Sequence, residues 1–353
     1  MQTPGVAQCL KLITEVGCER IVRLAFGLAV AEGRKKVAVA TKANIMKMTE
    51  GMMKRVGERV AKEFPNLAHE HLIVDNCAHQ MVIRPEQFDV VVMTNMNGDI
   101  LSDLAAGLVG GLGVAPSANL GDKVAMFEAV HGSAPQIAGR GLANPTALLL
   151  SSVMLLRHVG DFSTAHKVEQ ALVVMLEDGV DLTGDIAPAG QGVGTEKFVE
   201  RVVANLGREA GGRESGQAIA RDYRPLELKR WAPITWFKSA TTRELIGIDV
   251  FIESERDPYA IGITMQDAAE GSAFALKMIS SRGTQVWPSV GGQTFLVDHF
   301  RARFLFKEPP KGDGVAEISD LLTRVGRQHR WMHIEKLQRF DGADAFTKSG
   351  GEE

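Results

Sequence analysis

Apolar residues recur along this chain at two spacings, and the change from one to the other marks out its elements. From Val6 to about Ala31 they return at helical intervals (Ile21, Leu24, Ala25, Leu28), with Glu19, Arg20 and Arg23 between them, and Gly33 stands where such a helix would end. A short run, Val37–Thr41, then reads as a buried strand. A helix over about Met48–Phe64, stopped by Pro65, a strand over Leu72–Asp75 and a helix over Asn76–Ile83, broken at Arg84-Pro85, follow in turn. Val90–Met93 is a third apolar run of strand character, and a helical pattern begins after Asn95-Met96-Asn97-Gly98. Strands alternating with helices predict an α/β unit on a mostly parallel sheet.

Each predicted strand ends in a polar residue: Lys42 after the first, Asp75 on the second, Asn95 to Asp99 after the third. The carboxyl ends of strands are where open α/β sheets bind ligands. Asp99 and Asp103 are four apart, so a helix sets both carboxylates on one face. Such a pair suits a hard divalent cation, Mg²⁺ or Mn²⁺. Acidic residues in a first helical turn also complement the helix dipole, and the spacing alone does not separate the two readings.

Farther along, Gly107–Gly113 (GLVGGLG) follows a helix rather than opening one and lacks the spacing of a dinucleotide fingerprint, so it reads as a helix end and turn. A short strand, Val124–Glu128, leads into the loop His131-Gly132-Ser133-Ala134-Pro135, whose glycine, proline and histidine suit nucleotide binding. Asn144-Pro145 opens an apolar helix over Ala147–Leu156, and helices over about Thr164–Asp178 and Thr195–Leu206 flank a glycine-rich loop at Leu182–Asp185. From Gly207 to Arg224 the periodicity stops, which predicts a linker, 208–240, between a catalytic region at 1–207 and a second domain at 241–345. That domain reads β-α-β-β-α-β: strands over Leu245–Ser254, Phe274–Ser281, Leu296–Phe306 and Trp331–Phe340, helices over Pro258–Ala269 and Val315–Arg327. The order predicts a ferredoxin-like sandwich with Ile246, Ile248, Val250 and Ile252 facing inward, and Asp298, Arg301 and Arg303 on solvated faces.

Composition narrows the function. The 353 residues carry a net charge of -3, which favours neither nucleic acid nor a membrane surface, and no apolar run reaches membrane-spanning length. Three cysteines with no metal-like spacing point to a reducing, cytoplasmic setting.

Four stretches in unbroken order, TKANIMK (Thr41–Lys47), IVDNCAHQ (Ile73–Gln80), NMNGDILSD (Asn95–Asp103) and EAVHGSAP (Glu128–Pro135), resemble the isocitrate/isopropylmalate dehydrogenase family. RQHRWMH (Arg327–His333) and KLQRFDG (Lys336–Gly342) resemble the C-terminal extension of its longer, Thermus-type isocitrate dehydrogenases. The likeness implies an incomplete form of that family's sheet and oxidative decarboxylation of isocitrate to 2-oxoglutarate, with NAD or NADP and Mg²⁺ or Mn²⁺. It also implies a homodimer whose two chains share each site. Asp99 and Asp103 would hold the metal with Asp75 of the partner chain. Lys42, also from the partner, would be the general base or proton relay, and Asn44 would touch substrate or nicotinamide. His131 to Pro135 would form the adenosine loop, with Asn144 on the adenine edge.

Gln136 and Ile137 stand where NADP users of the family often carry Lys-Tyr and NAD users Asp. With Gly184 and Pro188 at later contact positions, no cation faces a phosphate, which leans toward NAD; Arg140 nearby pulls the other way. The family's N-terminal segment, with its substrate-gripping arginines and catalytic tyrosine, has no counterpart before Lys42, and the two tyrosines, Tyr223 and Tyr259, fall late. An N-terminally truncated chain of weak or no activity is the resulting expectation. Isopropylmalate or homoisocitrate dehydrogenation, or a non-catalytic nucleotide-binding regulatory subunit, are the alternatives.

Overall fold

The computed structural model describes residues 1–121, 123–210, 242–288 and 295–349; most of the expected linker lies outside them. The chain forms two compact units, Ile13–Ile234 and Met1–Leu12 with Thr235–Glu353.

The first unit is built on three parallel strands, β1 (Lys36–Thr41), β2 (Ala68–Ile73) and β3 (Val90–Met93), in the order β2-β1-β3. The central strand is nearly all buried, and its alternation divides the core. Val37 and Val39 face Val22, Phe26 and Ala29 of α1 (Glu15–Ala31) and Met53, Val56 and Val60 of α2 (Thr49–Ala61). Ala40 faces Cys77 of α3 (Val74–Ile83) and Leu101 of α4 (Asn95–Leu108). Helices thus cover both faces, as a parallel sheet requires. Helix α2 lies so close to β1 that a methyl group on Gly57 would come within 2.9 Å of Val39. An antiparallel hairpin, β4 (Pro116–Leu120) and β5 (Ala125–Ala129), packs on α5 (Thr146–His158); α6 (Phe162–Asp178) and α7 (Thr195–Ala204) complete the unit. The hairpin is a two-stranded sheet of its own, apart from the parallel one.

Three local expectations shift. The first helix begins at Glu15, not Val6, because the Thr14 hydroxyl accepts from the Gly17 amide and fixes an N-cap there. The second strand runs Ala68–Ile73 rather than Leu72–Asp75, since β2 is an edge strand whose polar AHEH stretch pairs with Lys36–Val39; Asp75 falls in the first turn of α3. Helix α4 starts at Asn95, so Asp99 and Asp103 lie beyond its first turn, and the helix dipole no longer accounts for them.

The second unit is an antiparallel sheet with two helices. It comprises β6 (Arg243–Glu253), α8 (Pro258–Ala269), β7 (Phe274–Ser281), β8 (Thr284–Trp287), β9 (His299–Phe306), α9 (Val315–Gly326), β10 (Arg330–Phe340) and β11 (Ala343–Asp344). The sheet order is β11-β10-β6-β9-β7-β8. Its four long strands stand fourth-first-third-second, the ferredoxin-like order, and short β8 and β11 extend the two edges. Arg282 and Gly283, both at positive φ, make the tight turn between β7 and β8.

Ile248, Val250 and Ile252 are fully buried in the core as the alternation predicts, but Ile246 is not part of it. Between Leu337 and Gln338 of β10 the register passes from Gly247 to Leu245, so Ile246 is the extra residue of a bulge in β6, and Leu245 packs against the core instead. Arg303 is also not on a solvated face. It is 1% exposed and donates from Nε and Nη2 to both carboxylate oxygens of Asp249, each at 2.8 Å. Asp298 accepts from the Thr3 hydroxyl at 2.8 Å, which ties the first residues of the chain to this unit.

All three cysteines are free; Cys9 is exposed, Cys18 and Cys77 buried. Burial, with a smaller push from Glu70, raises the Cys77 thiol to about 11, and burial raises that of Cys18. A thiol whose pKa is raised by folding adds stability below its unfolded value and loses it as pH climbs through the folded one. At pH 8 both buried thiols stay protonated, so a thiol-titrating reagent is expected to label Cys9 quickly and the other two only after denaturation.

Candidate active site

Lys42, Asp75 and the start of α4 meet at the carboxyl edge of the parallel sheet. Lys42 follows β1 directly, and its carbonyl accepts from the amides of Ile45 and Met46, which folds TKANIM back over the strand end. Its ammonium donates to Asp75 Oδ1 at 2.6 Å. That bond, with a backbone N–H of the first turn of α3, holds the Asp75 carboxyl below the usual carboxylate range. The pair is open to solvent on the Asp75 side. The two residues expected to serve a partner's site are therefore joined to each other within one chain.

Asp99 and Asp103 sit exposed on one side of α4, which packs beside α3. Among the described residues no group of three or more histidine, cysteine or acidic side chains gathers to hold a metal, so Asp75 does not join Asp99 and Asp103 within one chain. Two exposed carboxylates one helical turn apart are the hard oxygen donors that Mg²⁺ or Mn²⁺ takes, with coordination left over for a third carboxylate and for substrate.

Behind these groups lies a side chain that the sequence did not single out. Glu50, in the first turn of α2, is fully buried. Its Oε2 accepts from the Lys42 backbone N–H and from Asn97 Nδ2, both at 3.1 Å, and its Oε1 accepts from the Thr94 hydroxyl at 3.0 Å. In sequence, an acidic residue at a helix start reads only as complementing the dipole. Nothing local reveals that two other segments converge on it.

Asn44 is exposed and lines a polar pocket of about 420 Å³ with Lys47, Lys54, Arg55 and His71. His71 is hydrogen-bonded to the Thr41 hydroxyl at 2.8 Å, and burial holds its pKa below the ordinary histidine value.

The adenosine-loop residues frame a separate cavity of about 760 Å³. His131, Gly132, Ser133, Ala134, Ile137 and Asn144 line it, together with Gly184, Asp185 and Val193. Pro135 and Gln136 are exposed outside that lining. Asn144 is 8% exposed and already engaged: Oδ1 accepts from the Thr146 amide at the start of α5, and Nδ2 donates to Asp185 at 3.0 Å. Its side chain thus fixes the cavity wall, with Asp185 as the carboxylate it holds there. Arg140 is exposed in the same loop, its amide bonded to the Ile137 carbonyl.

Residues 1–202 match the family model described as isocitrate/isopropylmalate dehydrogenase, and residues 243–352 the one described as bacterial isocitrate dehydrogenase, C-terminal domain. An isocitrate dehydrogenase [NADP] of Thermus thermophilus is 53% identical over 360 residues, taking in 100% of this chain and 70% of its own length. One from Rickettsia bellii is 38% identical over 362 residues, with 99% and 72% covered. A crystal structure of a Thermus thermophilus protein superposes with a TM-score of 0.92 at 53% identity, over 100% of this chain and 70% of that one.

Proposed function

The chain belongs to the isocitrate/isopropylmalate dehydrogenase family, and from that premise we propose that it acts in the oxidative decarboxylation of isocitrate to 2-oxoglutarate, with NADP and Mg²⁺ or Mn²⁺, as one half of a cytoplasmic homodimer. The observation that carries this reading is the Lys42–Asp75 pair at the carboxyl ends of β1 and β2, with α4 leaving the carboxyl end of β3. A regulatory subunit would have no need of that set. The C-terminal unit, matching a domain described for bacterial isocitrate dehydrogenases, favours isocitrate over isopropylmalate or homoisocitrate.

In this reading Lys42 takes or relays the proton of the substrate hydroxyl as hydride leaves the same carbon for the nicotinamide. Asp75 holds the amine in place, and Asn44 stands beside it. Asp99 and Asp103 hold the cation, which when bound would acidify that hydroxyl and stabilise the negative charge left as CO₂ departs. The adenosine half of the cofactor fits the cavity of about 760 Å³. NADP replaces the lean toward NAD because the whole-chain relatives bear that cofactor in their names; Arg140, exposed in the adenosine loop, would be the cation for a 2′-phosphate. In a dimer the partner's Asp75 would supply a third carboxylate to Asp99 and Asp103, and α3 and α4 expose Val82, Ile83, Met96 and Ile100 as apolar surface that a second copy would cover.

Mn²⁺ titration followed by electron paramagnetic resonance tests the metal assignment. Asp99→Asn is expected to weaken binding by at least about 10-fold, the scale on which metal-site partners act. Isocitrate should drive reduction of NADP faster than of NAD. Faster reduction with isopropylmalate would overturn the substrate, and unchanged Mn²⁺ affinity in Asp99→Asn the site.

A further inference from the structure

Glu50 is an unusual residue to find fully buried. Removing a carboxylate from water is costly unless hydrogen bonds replace the lost hydration. Here the replacements come from three places: the backbone of Lys42, the hydroxyl of Thr94 and the side-chain amide of Asn97. Thr94 is the N-cap residue of α4, yet its hydroxyl makes no bond to the helix's own amides. An N-cap threonine ordinarily accepts from one of those amides. At this helix start the hydroxyl reaches to Glu50 instead, so the helix gives up its side-chain cap for a link to another element. Thr94 and Asn97 are themselves buried, which leaves the three groups little room to rearrange.

The two ends of this link are chemically distinct. One is the strand terminus that carries Lys42. The other is the first turn of the helix that carries Asp99 and Asp103. We propose that Glu50 is a positioning residue that fixes the amine-bearing strand end and the carboxylate-bearing helix against each other, and so sets the geometry of the metal and proton-transfer groups. The inference rests on the metal and lysine roles proposed above. Within one chain the same carboxylate then joins the half-site that Lys42 and Asp75 offer to a partner to the half-site on α4.

The hydrogen-bond inventory makes the role separable from charge. In Glu50→Gln the amide oxygen can still accept from Lys42 and Asn97, while the amide nitrogen donates to a Thr94 hydroxyl that has turned to accept. In Glu50→Asp the chain is one methylene shorter and cannot reach both segments. The 353-residue chain and the variants Glu50→Gln, Glu50→Asp, Glu50→Ala and Val60→Ala would be compared by Mn²⁺ titration and by hydrogen exchange at the amides of Lys42 and Gly98. Val60 is a buried residue of the same helix, and its truncation loosens the fold without touching the carboxylate.

Glu50→Asp and Glu50→Ala are expected to weaken Mn²⁺ binding about 10-fold and to speed exchange at both amides. Glu50→Gln should match the native chain in both measurements, and Val60→Ala should do so after correction for any drop in melting temperature. Unchanged exchange in Glu50→Asp and Glu50→Ala would overturn the proposal. So would equal losses in Glu50→Gln and Glu50→Ala, or a Val60→Ala loss as large as that of Glu50→Asp. Where Glu50→Ala does not fold, Thr94→Val removes a single link, and slow exchange at Gly98 in that variant would likewise count against it. The exchange readout needs no metal. If Asp99→Asn left Mn²⁺ affinity intact, the metal assignment would fall, and exchange alone would decide whether Glu50 positions the two segments.

Discussion

Replacing Lys42 by methionine is expected to lower kcat for isocitrate-dependent NADP reduction by about 10²- to 10⁴-fold in the intact enzyme, the range that a positioned general acid or base supplies. Methionine keeps the length and the packing of the stem and removes only the amine. The backbone N–H of residue 42 still meets Glu50, so the strand end stays in place. Mn²⁺ affinity and melting temperature should therefore hold while turnover falls. Lys42→Arg sharpens the test. Arginine restores a cation for Asp75 but does not give up its proton, so the ion pair returns and the rate does not. In Lys42→Met the Asp75 carboxyl loses the donor that chiefly depresses its pKa and titrates closer to the ordinary range. The sign of the linkage follows: a depressed carboxyl contributes stability above its unfolded pKa and loses it as pH falls through the folded one. The native protein should keep the pair down to a lower pH than the variant keeps an ionised Asp75. Wild-type turnover in Lys42→Met would remove lysine from the chemistry.

The parts of this molecule that the sequence made legible are those whose cause is local. Strand β1 reads as buried because it is central and covered on both sides, and the helix at Pro258 opens on an Asp257 N-cap with proline in its first turn. The order of strands and helices was enough to predict a ferredoxin-like unit. What escaped depends on partners far away in the chain. β2 hides behind a polar sequence because it is an edge, and its hydrogen bonds to Lys36–Thr41 override the propensity of AHEH. Ile246 leaves the core because it is the extra residue of a bulge in β6, set by the register with β10, which no alternation within β6 can reveal. The same holds at the site. Lys42, Asp75 and Asp99 could be picked out because they stand at strand ends in a recurring pattern, and Asp103 because it is four residues beyond Asp99. Glu50 could not, since its three donors come from residues 42, 94 and 97 and meet only when the sheet has formed. Asn144 shows the converse: a residue visible in a motif whose amide is committed to α5 and Asp185.

Arg303 and Asp249 in the second unit give the largest expected loss of stability. Both side chains are 1% exposed, and they meet through two bonds of 2.8 Å across β6 and β9. Arg303 also donates to the Thr347 carbonyl and lies 4.9 Å from the Phe346 ring, so the guanidinium anchors the last described residues of the chain. Asp249→Ala leaves that guanidinium buried without its carboxylate, with Arg301, 3.6 Å from Asp249 in the native protein, as a second positive group beside it. Breaking a buried pair from one side costs about 3–5 kcal/mol, because the remaining charge stays buried without its carboxylate. Replacing both, as Asp249→Leu with Arg303→Met, exchanges the pair for apolar contacts and is expected to be near neutral. The comparison belongs in the full chain by calorimetry, where the two units can melt separately. The single variant should lower one transition and leave the other in place, and the residues after Phe340 should become open to protease as Arg303 lets go of Thr347. A single variant as stable as the double would mean that the pair is hydrated in solution and that the buried guanidinium does not hold this sheet face closed.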